Sequence, residues 1–533
     1  MQWPLHYPNL NAQYLLGVDQ VLWSDESCDL GGVTDPPKSL RNIFVGVDVW
    51  GRGCHGGGGY GSYKALSAID PQCIGLSVAL FGQAWTWESE QDRPDWSWEG
   101  WWDYERKLWA GPTNTEVVHV PDCPRRKGEP PCPHQHGPFK PISAYFPTLQ
   151  PPNPSKLAFH TTFCPGIGRI WSVQGRRVWQ SLDGWTDVDK QCSMGDMVWP
   201  SPAITWEGDE WPDDLPSVSS SVCLDDSWNA GSCLRLDMSS PGFDDEGAHF
   251  RCVWLPIQSL AVSPLCRYEA RIVYKLEHSL HIDLDIGLSL KVLSGTSVHE
   301  AHLTGILDDH DLPGGWKRLA VQFSLETRSD VARPVATRHL PDIVIAIGFI
   351  IAIAPEQPLD PFSASLSLGQ LNVFPATPSD ALTYDPLLTW ADFLATSSPP
   401  SMNGRLSGTL HWDAAVTFAP STNIANITDL SPEDPNPVWK MHIADDWFRS
   451  YLYFNVYMQT FAAGGHVADP ELATWIGTTG LDGQLCEFML DVPLPPAVDG
   501  AQNTQVRFYI QGADGHGDVL PWHRCVFVDV DLR

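Results

Sequence analysis

Basic residues are scarce in this chain: 33 Lys and Arg stand against 64 Asp and Glu, a formal charge of -31 over 533 residues. A surface of that sign repels a phosphate backbone and an anionic bilayer alike, so neither nucleic acid nor membrane is expected as a partner. Long apolar runs are missing too. The longest, Ile343 to Ala354, is interrupted only by Gly348; it falls short of the roughly 20 residues of a membrane-crossing helix and reads as a buried strand. Met1 to Leu10 has no basic start and no apolar stretch, so no secretory leader is visible. The 13 cysteines are odd in number and scattered from Cys28 to Cys525. That spacing excludes a dense disulfide framework and predicts free thiols in a reducing compartment, the cytosol. Charged residues make up 18% against 43% hydrophobic, which excludes the charge-rich, apolar-poor class of disordered chains.

What is plentiful is tryptophan, 25 residues. Indole rings fill cores and also stack on the apolar faces of sugars. The length predicts about three domains. Asn42 to Val49 is a nearly continuous apolar run that ends in an acid and a cluster of glycines, as a buried parallel strand ends in a loop. Ser62 to Ile69 reads as a short helix and Gly75 to Phe81 as the next buried strand, so the order is that of a β/α unit. Trp98, Trp101, Trp102, Glu105, Leu108 and Trp109 recur at helical spacing. Residues 111–141, rich in Pro, His and Cys, have no period and read as an inserted loop. From about Pro200 the texture changes to short strands between turn residues, which predicts β-sandwiches.

Several segments then resemble a known family. Val45 to Gly53 (VGVDVWGRG), the glycines up to Tyr60, and Leu76 to Glu88 (LSVALFGQAWTWE) are similar to the last two strands of the barrel of glycoside hydrolase family 85. Leu157 to Gly168 (LAFHTTFCPGIG) resembles the segment just after that barrel's final helix. Trp228 to Leu236 (WNAGSCLRL) and Leu368 to Phe374 (LGQLNVF) resemble the opening and closing of its galactose-binding-like sandwich. The resemblance implies an α/β plus all-β chain, an incomplete (β/α)8 barrel followed by two β-sandwiches, the first galactose-binding-like. The boundaries expected are 1–200 for the last part of the barrel with the insert at 111–141, 201–375 for the first sandwich and 380–533 for the second.

The same resemblance implies the chemistry. The family's endo-β-N-acetylglucosaminidases cut the chitobiose core of N-linked glycans, or free oligosaccharides, by a retaining route in which the substrate's acetamido oxygen attacks the anomeric carbon. One Glu then serves as acid and base, and an Asn two residues earlier holds the acetamido group, an exception to the scheme of two enzyme carboxylates. That Asn-x-Glu belongs to a mid-barrel strand, and a barrel needs eight strands and about 250 residues. Only two barrel strands are legible here, so the chain is expected to be a fragment without the acid and inactive as it stands. Gln2-Trp3-Pro4 resembles the Trp-Pro after the family's sixth strand. Asn114-Thr115-Glu116 matches Asn-x-Glu literally but sits in the loop-like insert, not at a strand end. The competing reading is a non-catalytic protein whose sandwiches bind glycans or other proteins.

No catalytic residue is therefore assigned, and the expected sugar-binding residues lie at strand ends, where barrel sites are built. Asp48 is a candidate to bond a sugar hydroxyl, against an ion pair with Arg52. Trp50 and Trp85 are candidate sugar platforms, against packing at the barrel mouth. Glu88 can contact substrate or pair with a base; Arg52 and His55 can orient hydroxyls, against plain surface roles. Trp3 is an acceptor-side platform by resemblance. Cys123, Cys132, His134 and His136 are zinc-type ligands, but their spacing is no known finger, and a Pro-rich insert is the expectation: no metal and no cofactor is assigned. His281, Asp283 and Asp285 alternate on a strand and read as a solvated face rather than a calcium site. Trp316, Trp390 and Trp412 read as core before carbohydrate platform. Oligomeric state is left open.

Overall fold

In the computed structural model the chain is described over residues 13–14, 39–82, 84–112, 116–123, 132, 135–146, 151–196, 203–208, 215–242, 250–279, 281–293, 299–327, 342–376, 387–396, 404–414, 451–480, 486–493 and 503–532. It is mostly β, and it divides into two compact units, residues 1–150 with 199–201, and residues 151–198 with 202–533. Trp3 and His134 lie outside the described residues.

In the smaller unit β1 (Phe44–Asp48) pairs in parallel with β2 (Ser77–Phe81), Asp48 opposite Phe81. Between them runs helix α1 (Ser62–Ile69), with a single helical turn at Pro71–Ile74. Two parallel strands need such a crossover, and the helix covers one face of the pair. Val47, Val49, Leu66, Ile69, Leu76 and Leu108 are buried in one core with Tyr60 and Tyr63. After β2 come α2 (Trp85–Glu90) and α3 (Trp98–Trp109). The start of α3 is fixed by Ser97, whose Oγ accepts from the Gly100 N–H at 3.0 Å, a cap that contributes about 1 kcal/mol. Arg106 and Lys107 stand in its last turn, where cations suit the helix dipole. Trp98 and Leu108 are its buried residues, and the other indoles pack among themselves: Trp87 lies 5.1 Å from Trp98 and 5.5 Å from Trp101, ring to ring.

The larger unit is built from antiparallel sheets and one hairpin, among the described residues. The first sheet has seven strands. Its path runs β12 (His299–Asp311), β13 (Lys317–Thr327), β10 (Arg267–His278), β15 (Phe362–Pro375), β8 (Cys233–Ser240), β7 (Ser217–Cys223), and β3 (Phe159–Thr161) joins β15. The second has four: β11 (Ile282–Val292), β14 (Ile343–Pro355), β9 (Arg251–Val262) and β6 (Thr205–Trp206). The two face each other, since Leu236, Leu276 and Leu366 of the first meet Leu255, Leu284 and Ile351 of the second around one small gap. Tyr274 and Phe349 meet edge to face across the same interface, 5.6 Å apart. β14 is buried nearly throughout because it is the inner strand of its sheet, flanked by β11 and β9; this explains its unbroken apolar composition. Asp283 and Asp285 point to solvent from β11.

The long hairpin of β4 (Pro165–Val173) and β5 (Arg176–Gln191) buries almost all of β4 and little of β5. Beyond it a three-stranded sheet, β16 (Leu388–Ala395), β17 (Arg405–Ala414) and β20 (Glu487–Pro493), opposes a four-stranded one, β18 (Tyr451–Ala462), β19 (Thr474–Thr478), β21 (Thr504–Asp514) and β22 (Val526–Leu532). Leu406, Leu410 and Trp412 from the first meet Phe454, Val456, Phe508 and Ile510 from the second in one core. Trp316 and Trp412 are buried, at 1% and 3% exposure, whereas Trp390 is exposed at 49%. Of the three, the core reading holds for two.

Candidate functional site

The C-terminal ends of β1 and β2 put five of the residues singled out above on one rim. Asp48 closes β1. Its carboxylate accepts from Arg52 Nε at 2.8 Å and from the Trp50 N–H at 3.0 Å, and its own N–H points at Cys54 Sγ, 3.0 Å away. The guanidinium bonded to Asp48 holds its carboxyl below the usual carboxylate range. Asp48 is thus an anion fixed in direction, 16% exposed, beside an Arg52 side chain that is 65% exposed. The guanidinium also lies 5.3 Å over the exposed ring of Phe81. Trp50 Nε1 donates to Glu88 Oε2 at 2.9 Å, which ties the loop after β1 to the helix after β2 and leaves the indole face partly exposed.

The glycine run after β1 is dictated by crowding. Gly58 has φ of 74°, and a Cβ there would come within 2.3 Å of Gly51 N; a Cβ on Gly59 would come within 2.5 Å of the Trp85 ring. Trp85 is therefore pressed on backbone, 5.9 Å from Tyr60 and 5.2 Å from Tyr104. The packing role is the one the structure displays for it. Deeper between the helices, Thr86 Oγ1 donates to Glu105, whose carboxyl is pushed up by burial. We expect Glu105→Gln, which keeps a carbonyl to accept from Thr86, to raise stability at pH 7. A raised carboxyl pKa stabilises below its unfolded value of 4.5 and loses that contribution as pH rises. Urea midpoints at pH 7 and pH 4 check it: the gain must shrink at the lower pH.

Glu116 is placed away from the rim. Both its oxygens accept from Arg106 Nη2, at 3.0 and 2.9 Å, and Lys107 Nζ lies 3.3 Å away. Both oxygens are thus committed to ion pairs with Arg106 and Lys107, a structural role.

His55 leaves the rim for another neighbourhood. Its Nε2 lies 3.2 Å from His136 Nε2, and His136 Nε2 is 3.4 Å from Cys132 Sγ and 3.7 Å from Cys123 Sγ. The four half-buried ligand atoms all lie within 4.8 Å of one another. The sequence signal contains three of these four residues, with the outlying His134 as the fourth; only spatial contact between the insert and the glycine loop selects His55. In the larger unit a separate cavity of about 420 Å³ is lined by Trp228, Arg271, Arg318, Tyr457, Asp518 and Trp522, among others.

Residues 10–171, which span both parallel strands and their rim, match the sequence model of glycosyl hydrolase family 85. Through this segment the chain is similar to glycosyl hydrolase family 85. The chain is 34% identical over 71 residues to the cytosolic endo-beta-N-acetylglucosaminidase 1 of Arabidopsis thaliana, an overlap of 13% of this chain and 10% of that protein. It thus spans about a tenth of the length of the curated relative it matches. Among solved structures, the glycoside hydrolase domain of Endo-D from Streptococcus pneumoniae R6 aligns with 93% of this chain and 58% of its own, at 12% identity and a TM-score of 0.45. A beta-1,2-glucanase from Parabacteroides distasonis aligns with 62% of this chain and 37% of its own, at 11% identity and a TM-score of 0.24. Among the described residues no helix is long and apolar enough to cross a membrane, and 11 cysteines are free.

Proposed function

We propose that this chain is a member of glycosyl hydrolase family 85 and carries the last two strands of a (β/α)8 barrel, a galactose-binding-like sandwich and a second sandwich. It serves an endo-β-N-acetylglucosaminidase acting on the chitobiose core of N-linked glycans or on free oligosaccharides, in the cytosol. The observation that carries the reading is the rim at the ends of β1 and β2: a directed carboxylate at Asp48, a partly exposed indole at Trp50 locked by Glu88, and an exposed Arg52. Fixed donors and acceptors beside an aromatic face are what a sugar ring with equatorial hydroxyls requires. His55 is withdrawn from the sugar-binding set because its ring faces His136, and Trp85 supports the rim from below.

In this reading the proton donor is not among these residues. The one Asn-x-Glu in the sequence, residues 114–116, ends in a Glu already neutralised by Arg106 and Lys107. The 533-residue chain is expected to release no glycan from a glycoprotein bearing high-mannose N-glycans, followed by mass spectrometry of the released sugar. Glycan binding is expected to persist and to weaken about tenfold in Asp48→Ala and in Trp50→Ala, the worth of one good polar or stacking contact. Turnover that disappears in Glu116→Gln would overturn the assignment. The second reading, a binding protein without catalysis, is favoured by the cavity in the larger unit, where Arg and Trp side chains line a space large enough for a small sugar. Arg318→Ala weakening glycan binding while Asp48→Ala leaves it unchanged would select it.

A further inference from the structure

We propose that His55, Cys123, Cys132 and His136 form a tetrahedral zinc site that clamps the 111–141 insert to the glycine loop after β1. The geometry is the first argument. Zinc takes nitrogen at about 2.0–2.1 Å and thiolate at about 2.3 Å. A regular tetrahedron on those radii has edges of about 3.3 Å between two nitrogens and about 3.6 Å between nitrogen and sulfur. The corresponding edges in the structure are 3.2 Å for His55 Nε2 to His136 Nε2, and 3.4 and 3.7 Å from His136 Nε2 to the two sulfurs. Three of the six edges thus match a tetrahedral site, and the remaining three lie within 4.8 Å.

Chemistry supplies the second argument. Two thiolates and two neutral imidazoles cancel the charge of a divalent zinc ion, which suits a half-buried site. Four protein ligands complete the shell and leave no place for a reacting water, so the site is structural. A hydrogen bond between the two imidazoles explains their approach alone; it gives no reason for two thiols to gather at the same nitrogen. A disulfide is not formed, since both cysteines are free.

The third argument is that the insert needs such a clamp. The described residues of 111–141 contain no helix or strand, yet they are held at defined points: Lys64 Nζ donates to Pro121 O at 2.9 Å, Tyr63 Oη to Gly137 O at 3.1 Å, and Phe139 meets Tyr60 and Tyr63 edge to face. These anchors bracket the cysteines and bring them to His55. A segment without its own core gains its fold from the metal. Because His55 shares its loop with Arg52 and Trp50, the ion also stiffens the rim from behind.

The test uses the 533-residue chain, produced in zinc-supplemented medium and dialysed without chelator. Elemental analysis should find one zinc per chain, released in step with mercurial titration of thiols. Cobalt exchanged into the protein should show the intense visible bands of tetrahedral coordination with thiolate-to-cobalt charge transfer. His55→Ala and Cys132→Ser should retain less than about a tenth of the zinc, while His134→Ala retains all of it. A folded wild-type chain that holds no zinc and gives only octahedral cobalt spectra overturns the proposal, and so does undiminished zinc in His55→Ala. Should Cys132→Ser fail to fold, the wild-type cobalt spectrum decides alone.

Discussion

Trp412→Ala is expected to destabilise the pair of sheets at the C-terminal end by about 3–5 kcal/mol, the cost of removing a large aromatic from a closed core. Trp390→Ala, on the neighbouring strand of the same three-stranded sheet, is expected to stay within about 0.5 kcal/mol. The contrast arises from the register. Ala391 is opposite Trp412 in the ladder and Trp390 is opposite Asp413, so neighbours in sequence fall on opposite faces. Trp412 is 3% exposed and meets Phe454 at 5.0 Å, with Leu410, Val456 and Phe508 around it. Trp390, on the outer face, is 49% exposed, and its loss leaves no cavity. Urea unfolding followed by circular dichroism separates the two. Equal costs would mean that Trp390 is covered, and the outer face of this sheet would then be an interface.

The same register logic explains how much is legible in the sequence. β1, β2, α1 and α3 are legible as elements from their apolar runs or period, but the buried character expected of β1 and β2 is not met among the described residues: Val47 is the one buried residue of β1, β2 has none, and Phe44 and Phe81 are exposed. The inner strand β14 is legible from its apolar run. β5 is not, because its sixteen residues, RRVWQSLDGWTDVDKQ, are mostly exposed and carry no alternation; the strand exists through its partner β4, whose apolar face it does not advertise. On the rim, Asp48 with Arg52 is readable from a spacing of four residues. Trp50 with Glu88, 38 residues apart, requires the strands to be paired first. The metal-type cluster lies further out of reach. Its fourth member comes from a loop 81 residues from His136, and a ligand set assembled across such a distance leaves no local spacing to recognise.

Acidification should remove about 3 kcal/mol of stability from the larger unit between pH 6.5 and pH 4 through one side chain, His160. The ring sits on β3, opposite Asn372 of β15. Asn372 Nδ2 donates to its Nδ1 at 2.8 Å, and its Nε2 is sealed from solvent with no hydrogen-bond partner among the described residues. Burial pushes the imidazole down from 6.5 to about 4, because a charged ring there would lose its water without gaining an anion. The sign depends on which state binds the proton more readily. Above pH 6.5 the ring is neutral in folded and unfolded chains, and the contribution is whole. Below it the unfolded chain takes up a proton that the folded chain refuses until about pH 4, so stability falls through that window. The lowered carboxyls of Asp48, Asp308 and Asp491 titrate in a separate range, from their ordinary 3.8 downward. His160→Gln keeps an amide for Asn372 and removes the titration. Urea midpoints measured from about pH 7.5 to about pH 4.5 should fall steeply in the wild type and remain nearly level in the variant; parallel slopes would show that His160 is hydrated or paired with an anion in the folded chain.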